Sequence, residues 1–320
     1  MALDRNNPLE VARAIAALDV WEKASAHNWA LVSQLAAEPF LATVNPAREG
    51  PLRGRLLLFP GFKPFREYML ARRVPDFGVA TTPMDFPHFE AVGLADGKAE
   101  IFSYFPGMVP LPPTPDENAL LGPLLYACYG LMMRVEEDPE LLMRYSSEGE
   151  MFSLREGLDG RWRDAPYKIP PEPNPFWQEN VSLDRKKCEI ASRLPFATEE
   201  KWEADFVLAP MFRTNEPRPR FLYLLAAVDA ERRSRVVWIK MSVGNGADAL
   251  KRMWEGHAQR FLDAILAHGR IPGEIHVRSS RFARFLRPLG MQLPFKLVQN
   301  AKLPELAAEL DAAFAKPETL

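Results

Sequence analysis

The sequence predicts an α/β protein of two domains: an α+β domain, then a mixed sheet built in the order β-β-β-α-β-α-β-α. Three observations predict it. The chain has 320 residues, room for about two domains of about 150 residues each. Short apolar runs bounded by glycine and proline recur in both halves and alternate with stripes of helical period. Hydrophobic residues make up 47% and charged residues 26%, the balance of chains that bury real cores.

The first half opens with a helix. Asn7 caps it, Pro8 suits its first position, and Leu9, Ala12, Ile15 and Ala16 share one face. A second helical stretch is expected over residues 21–37. GRLLLFPG (54–61) reads as a buried strand, and PFREYMLARR (64–73) as a short helix with a basic end. FEAVGL and AEIFSYF form a hairpin around Asp96-Gly97. PGMVPLPPTP (106–115) cannot be regular structure, because proline removes donors and fixes φ. A well-marked helix follows over about residues 116–136. Its stripe of Leu121, Leu124, Leu125, Cys128, Leu131, Met132 and Val135 makes Cys128 a packing residue. A second hairpin turns at Asp159-Gly160. The expected domains are therefore 1–170 and 195–320, with 171–194 as a proline-rich linker carrying one short helix near 184–193.

In the second half EADFVLAPMF, RFLYLLAAVD and RVVWIKM read as three strands joined by connections short enough for antiparallel pairing. RFLYLLAAVD is apolar on both faces, so it should be covered on both sides. A long helix is expected over 247–268, stopped by Gly269. Then come the strand EIHVR, a helix capped by Ser279 or Ser280 with the stripe Phe282, Phe285, Leu286 and Leu289, the strand QLPFKLV, and a helix opened by Pro304.

This order resembles the ribonuclease-H-like fold, and the wording resembles integrase catalytic cores. Trp202 and Asp205 stand on the first strand, Val228-Asp229 ends the second, Ser234-Arg235 follows, and the strand IHVR and Leu289-Gly290 come later. The whole chain also resembles a group of bacterial proteins of unknown function. Tyr104, Pro106, Gly107, Pro110 and residues 116–118 carry that likeness in the first half. The resemblance implies an architecture and no established activity. Nuclease chemistry on such a fold needs carboxylates holding two Mg²⁺ ions about 3.5–4 Å apart. The candidates are Asp205, Asp229 and Asp248. Where the next shared ligand should follow the fourth strand, the chain has Arg278-Ser279-Ser280, and no Asp or Glu lies between Glu274 and Glu305. A guanidinium there repels metal cations. Glu305 and Glu309 lie opposite the apolar stripe of the last helix and should face water.

Other sites are weaker still. The five histidines lack ligand spacing, and His257, on an apolar helix face, reads as a hydrogen-bonded core residue. There is no P-loop, nucleophile elbow or dinucleotide fingerprint, so no cofactor and no metal is expected. VGNGA (243–247) could bind an anion but reads more simply as a turn into a helix. Net charge is -2. The first 200 residues carry -8 and residues 201–320 carry +6, with 19 Lys and Arg against 13 Asp and Glu. Arg278, Arg281, Arg284 and Arg287 form a candidate nucleic-acid contact, with a solvated helix face as the plainer explanation. Cys128 and Cys188 give no disulfide framework, no apolar run suits a membrane span, and the N-terminus does not read as a signal peptide. A cytoplasmic home follows. The expected function is that of a non-catalytic binding or scaffold protein with a protein partner. Nucleic-acid binding, or a metal-dependent hydrolase or nuclease with a rearranged carboxylate set, are the alternatives.

Overall fold

The computed structural model of the chain describes residues 3–25, 27–47, 50–73, 86–145, 149–171, 181–213, 217–244 and 249–315. The chain divides into two compact units. The first comprises the described residues of Met1–Leu70, Phe86–Phe105 and Pro110–Pro175; the second comprises those of Ala71–Asp85, Pro106–Val109 and Phe176–Leu320.

The first unit begins with α1 (Pro8–Ala17), where the Asn7 side chain accepts from Glu10 N–H. Val11, Ala12, Ile15 and Ala16 are buried, while Leu9 is left at the surface. The helix expected over residues 21–37 is one turn only, α2 (Trp21–Ala24). The chain then becomes β1 (Trp29–Val32), antiparallel to β2 (Phe40–Pro46). Long-range pairing overrides local preference here, because Trp29 and Leu31 enter the core only from an extended backbone. β3 (Leu52–Pro60), α3 (Phe62–Arg73), β4 (His88–Leu94) and β5 (Ala99–Tyr104) follow as the pattern predicts. Gly97, at φ 79°, makes the β4–β5 turn.

α4 (Pro115–Glu137) starts at a full capping box. Thr114 Oγ1 accepts from Glu117 N–H, and the Glu117 carboxylate accepts from Thr114 N–H. β6 (Glu150–Glu156) and β7 (Trp162–Lys168) form the second hairpin. The sheet order is β5-β4-β3-β2-β1-β6-β7, with only the β1–β6 pair parallel. One face carries Ala42, Val44, Leu56, Leu58 and Leu154 into a core shared with the apolar sides of α1 and α4.

The second unit starts with α5 (Arg185–Ala191), capped by Asp184. Residues 172–180 of the expected linker lie outside the described residues, but α5 is no linker: its Cys188 and Ala191 sit in the second core. β8 (Phe196–Arg213), β9 (Arg220–Asp229) and β10 (Ser234–Ser242) pair antiparallel. The helix expected over 247–268 is two, α6 (Ala249–Glu255) and α7 (His257–His268). The break falls at Gly256, a weak helix former, where Arg260 Nη1 bonds the freed Met253 carbonyl at 3.2 Å. β11 (Ile271–Val277), α8 (Ser280–Gly290), β12 (Lys296–Gln299) and α9 (Pro304–Ala315) complete the unit. The sheet order is β10-β9-β8-β11-β12, with β8, β11 and β12 mutually parallel. β9 is covered on both faces, as its composition predicts. Tyr223, Leu225 and Ala227 join the core under α7 and α8, and Leu224, Ala226 and Val228 join a smaller core under α9. The proline segment supplies this unit with one element, as Gly107 O accepts from Phe221 N–H and Val109 N–H donates to Pro219 O.

Candidate functional site

Alternation along β8 decides where its acids point. Trp202, Ala204 and Phe206 enter the core under α7 and α8, so Glu203, Asp205 and Val207 face α9. Asp205 is 3% exposed. Its Oδ2 accepts from Arg278 Nε at 3.0 Å and Nη2 at 2.5 Å, and its Oδ1 accepts from Phe206 N–H. Burial pushes its pKa up, while the Arg278 guanidinium and the amide act against that. Arg278 follows β11 directly, because Val277 pairs with Ala204 and brings the next residue beside Asp205. Glu203 is spent on structure: its Oε2 accepts from the N–H groups of Glu305 and Leu306 at the start of α9.

The expected carboxylate set does not assemble. Asp229 pairs across the ladder with Trp202, and Asp205 with Ala226, three residues along. That separates the two acids by about 10 Å along the strands and points them to opposite faces. Asp229 instead stabilises the β9–β10 turn: Oδ1 accepts from Glu231 and Arg232 N–H at 3.0 Å. Asp248 and most of the VGNGA segment lie outside the described residues. Among the described residues, no three His, Cys, Asp or Glu side chains converge as metal ligands.

The arginines divide as well. Arg278 is held by Asp205, Arg281 is only 2% exposed with its guanidinium 4.1 Å over the Trp254 ring, Arg284 is half-buried and Arg287 is exposed. Steps of three residues on a helix drift by about 60° each, so Arg281 and Arg287 stand about 120° apart and share no face. Arg281 precedes Phe282 at the margin of the apolar stripe and folds inward. Arg233 and Arg235 pair with Glu305 and Glu309 at 2.9 Å, so these acids do not simply face water as expected. Glu200, near the start of β8, accepts from Trp202 Nε1 at 2.8 Å and lies 2.7 Å from His268 Nε2, with Arg232 and Arg270 at 3.6 and 3.7 Å.

Three further features remain, the first a histidine that the sequence placed in the core but expected to be hydrogen-bonded. His257 is a core residue, 0% exposed and packed by Phe206, Trp254 and Phe282, but neither ring nitrogen has a hydrogen-bond partner among the described residues. Burial, with Arg260 and Arg281 nearby, drives its pKa well below the ordinary value. In the first unit, buried Glu90 lies 3.3 Å from Arg55 Nη1. Burial, reinforced by Glu90, pushes the Tyr104 hydroxyl well up. His88 stacks between Phe59 and Tyr104 with Nδ1 on the Phe86 carbonyl, and burial lowers its pKa to about 4. Only the alternation of His88 and Glu90 on one strand hinted at this cluster. The third feature is a groove of about 700 Å³ between α4 and the β6–β7 hairpin, bordered by Arg5, Leu35, Tyr126, Leu158, Arg161 and Trp162.

No helix among the described residues is long and apolar enough to cross a membrane. No curated protein and no solved structure matches the chain. Residues 190–311, most of the second unit, match the model of a domain of unknown function, DUF6930.

Proposed function

We propose that the chain is a non-catalytic binding protein whose second unit is a ribonuclease-H-like scaffold without two-metal chemistry. The strand order β10-β9-β8-β11-β12, with the first three strands antiparallel and the last two parallel to β8, supports the scaffold. One observation carries the loss of chemistry. Arg278 Nε and Nη2 both donate to Asp205 Oδ2 and the Phe206 N–H to Oδ1, so a guanidinium and an amide stand where a divalent ion would bind. Two buried free cysteines suit a reducing cytoplasm.

Metal response tests this directly. Millimolar Mn²⁺ leaves the melting of the wild-type protein unchanged, whereas Arg278→Asp, which supplies a second carboxylate beside Asp205, melts higher with Mn²⁺ than without it. Nucleic acid passed over the immobilised protein is not retained at low salt. Mn²⁺-dependent cleavage of nucleic acid that Asp205→Asn abolishes overturns the reading in favour of a hydrolase. Retention that weakens steeply with added salt overturns it in favour of nucleic-acid binding.

A further inference from the structure

We infer that the groove of the first unit is a binding site for a small amphipathic carboxylate, an acyl or aryl chain ending in an acid. A volume of about 700 Å³ falls within the roughly 300–1,000 Å³ of small-molecule sites. Gly130 of α4 lines the groove, and a Cβ built there meets nothing within 4 Å, so a larger side chain has room to enter it. Its sides are apolar and partly wet. Tyr126 and Leu35 are exposed, and Leu158, at the tip of the hairpin turn, is 97% exposed. Trp162 lines the groove from the hairpin opposite α4. A ligand covering these side chains removes from water apolar surface that the fold leaves open.

Charge sets the ligand class. Arg134, on the α4 wall, is already neutralised by Asp164 through bonds of 2.8 and 2.5 Å. Arg5 and Arg161 have no ion-pair partner among the described residues. An ideal Cβ on Gly160 lies 3.7 Å from Arg5 Nη1, so the Arg5 guanidinium rests against the turn beside Arg161. Of the nearby acids, Asp159 pairs with Arg163 at 2.6 Å, while Glu156, which also lines the groove, keeps its charge and accepts at Oε2 from two neutral donors, Ser33 Oγ and Gln34 N–H. With Arg134 paired to Asp164, Arg5 and Arg161 bring two positive charges to the groove lining against the one negative charge of Glu156, a net excess of one. A planar carboxylate matches their paired N–H donors, and the apolar body lies along Tyr126 and Trp162.

The site lies wholly within the first unit and does not depend on the reading of the second. The test uses the full chain, anilinonaphthalene sulfonate as a fluorescent apolar anion, and decanoate and decanol as competitors. The dye brightens with the wild-type protein, decanoate displaces it, and decanol needs about 10-fold more to do so, the margin expected of charge-assisted bonds. Gly130→Trp fills the groove and abolishes dye binding. The Arg5→Glu, Arg161→Glu protein keeps its circular dichroism and melting temperature and loses decanoate affinity by about 10-fold or more. Equal displacement by decanol, or unchanged decanoate affinity after charge reversal, overturns recognition of an acid. Dye binding that Gly130→Trp leaves intact, or no binding to the wild type, overturns the groove as the site. None of these outcomes touches the Mn²⁺ response, which tests the second unit alone.

Discussion

Replacing Arg278 with alanine exposes the energetic logic of the sheet tip. The Asp205 side chain is 4% accessible and that of Arg278 42%. Breaking a fully buried ion pair costs about 3–5 kcal/mol, because the remaining charge is left without compensation. Here one partner is half in water, where screening weakens the pair, so the cost comes down to about 2–3 kcal/mol at neutral pH. For a unit of this size that lowers the melting temperature by about 5–10 °C. The deficit has a definite pH dependence. Burial already raises the Asp205 pKa in the folded state, and the guanidinium opposes it. Without Arg278 the upward shift grows. A carboxylate with a raised folded pKa favours folding at low pH, and that contribution is lost as pH rises through the folded value. The variant therefore regains stability as the solution is acidified through the raised folded pKa of Asp205. Urea unfolding at several pH values measures this, with Asp205→Asn in the Arg278→Ala background as the control that restores most of the loss. An Arg278→Ala protein that unfolds at the wild-type urea concentration at neutral pH refutes the reasoning.

Other perturbations separate the remaining features. His257→Phe keeps the tilted and edge-on ring contacts with Phe206, Trp254 and Phe282 and removes two unbonded nitrogens, so it is at least as stable as wild type at neutral pH. Because the folded pKa of His257 lies well below 6.5, wild type loses about 1.4 kcal/mol from this group for each pH unit below about 6.5. The variant escapes that loss, as urea midpoints at pH 7.5 and 5.5 will show. Burial pushes the Cys128 thiol up to about 12, so a thiol reagent labels Cys188 first and reaches Cys128 only on unfolding. Thr114→Ala breaks the capping box of α4 and costs about 1 kcal/mol in chemical denaturation. Gly273→Ala drives a Cβ into the Thr198 carbonyl at the irregular β8–β11 register and costs about 1–3 kcal/mol by the same assay.

The sequence by itself determined many of the elements and several of their ends, though not β1 and β2. Asn7 and Ser279, read as caps, do cap helices, and Gly97, Gly160 and Gly269 mark turns with positive φ. These signals act within a few residues, so they survive without knowledge of the fold. The order of strands and helices in the second unit and the two-sided burial of β9 were legible for the same reason: hydrophobic period is local. Tertiary structure alone decided which side chains meet. Trp29-Ala30-Leu31 became a strand because it is bonded on both edges, by the neighbouring β2 and by β6, more than 110 residues away. Arg281 left the charged face because Trp254 offered its ring. Asp205 and Asp229 sit apart because strand register fixes both spacing and face. The groove beside Gly130 exists only where a helix and a hairpin from distant parts of the chain approach each other. Local chemistry writes the elements; burial and register, which join residues far apart in sequence, place the charges.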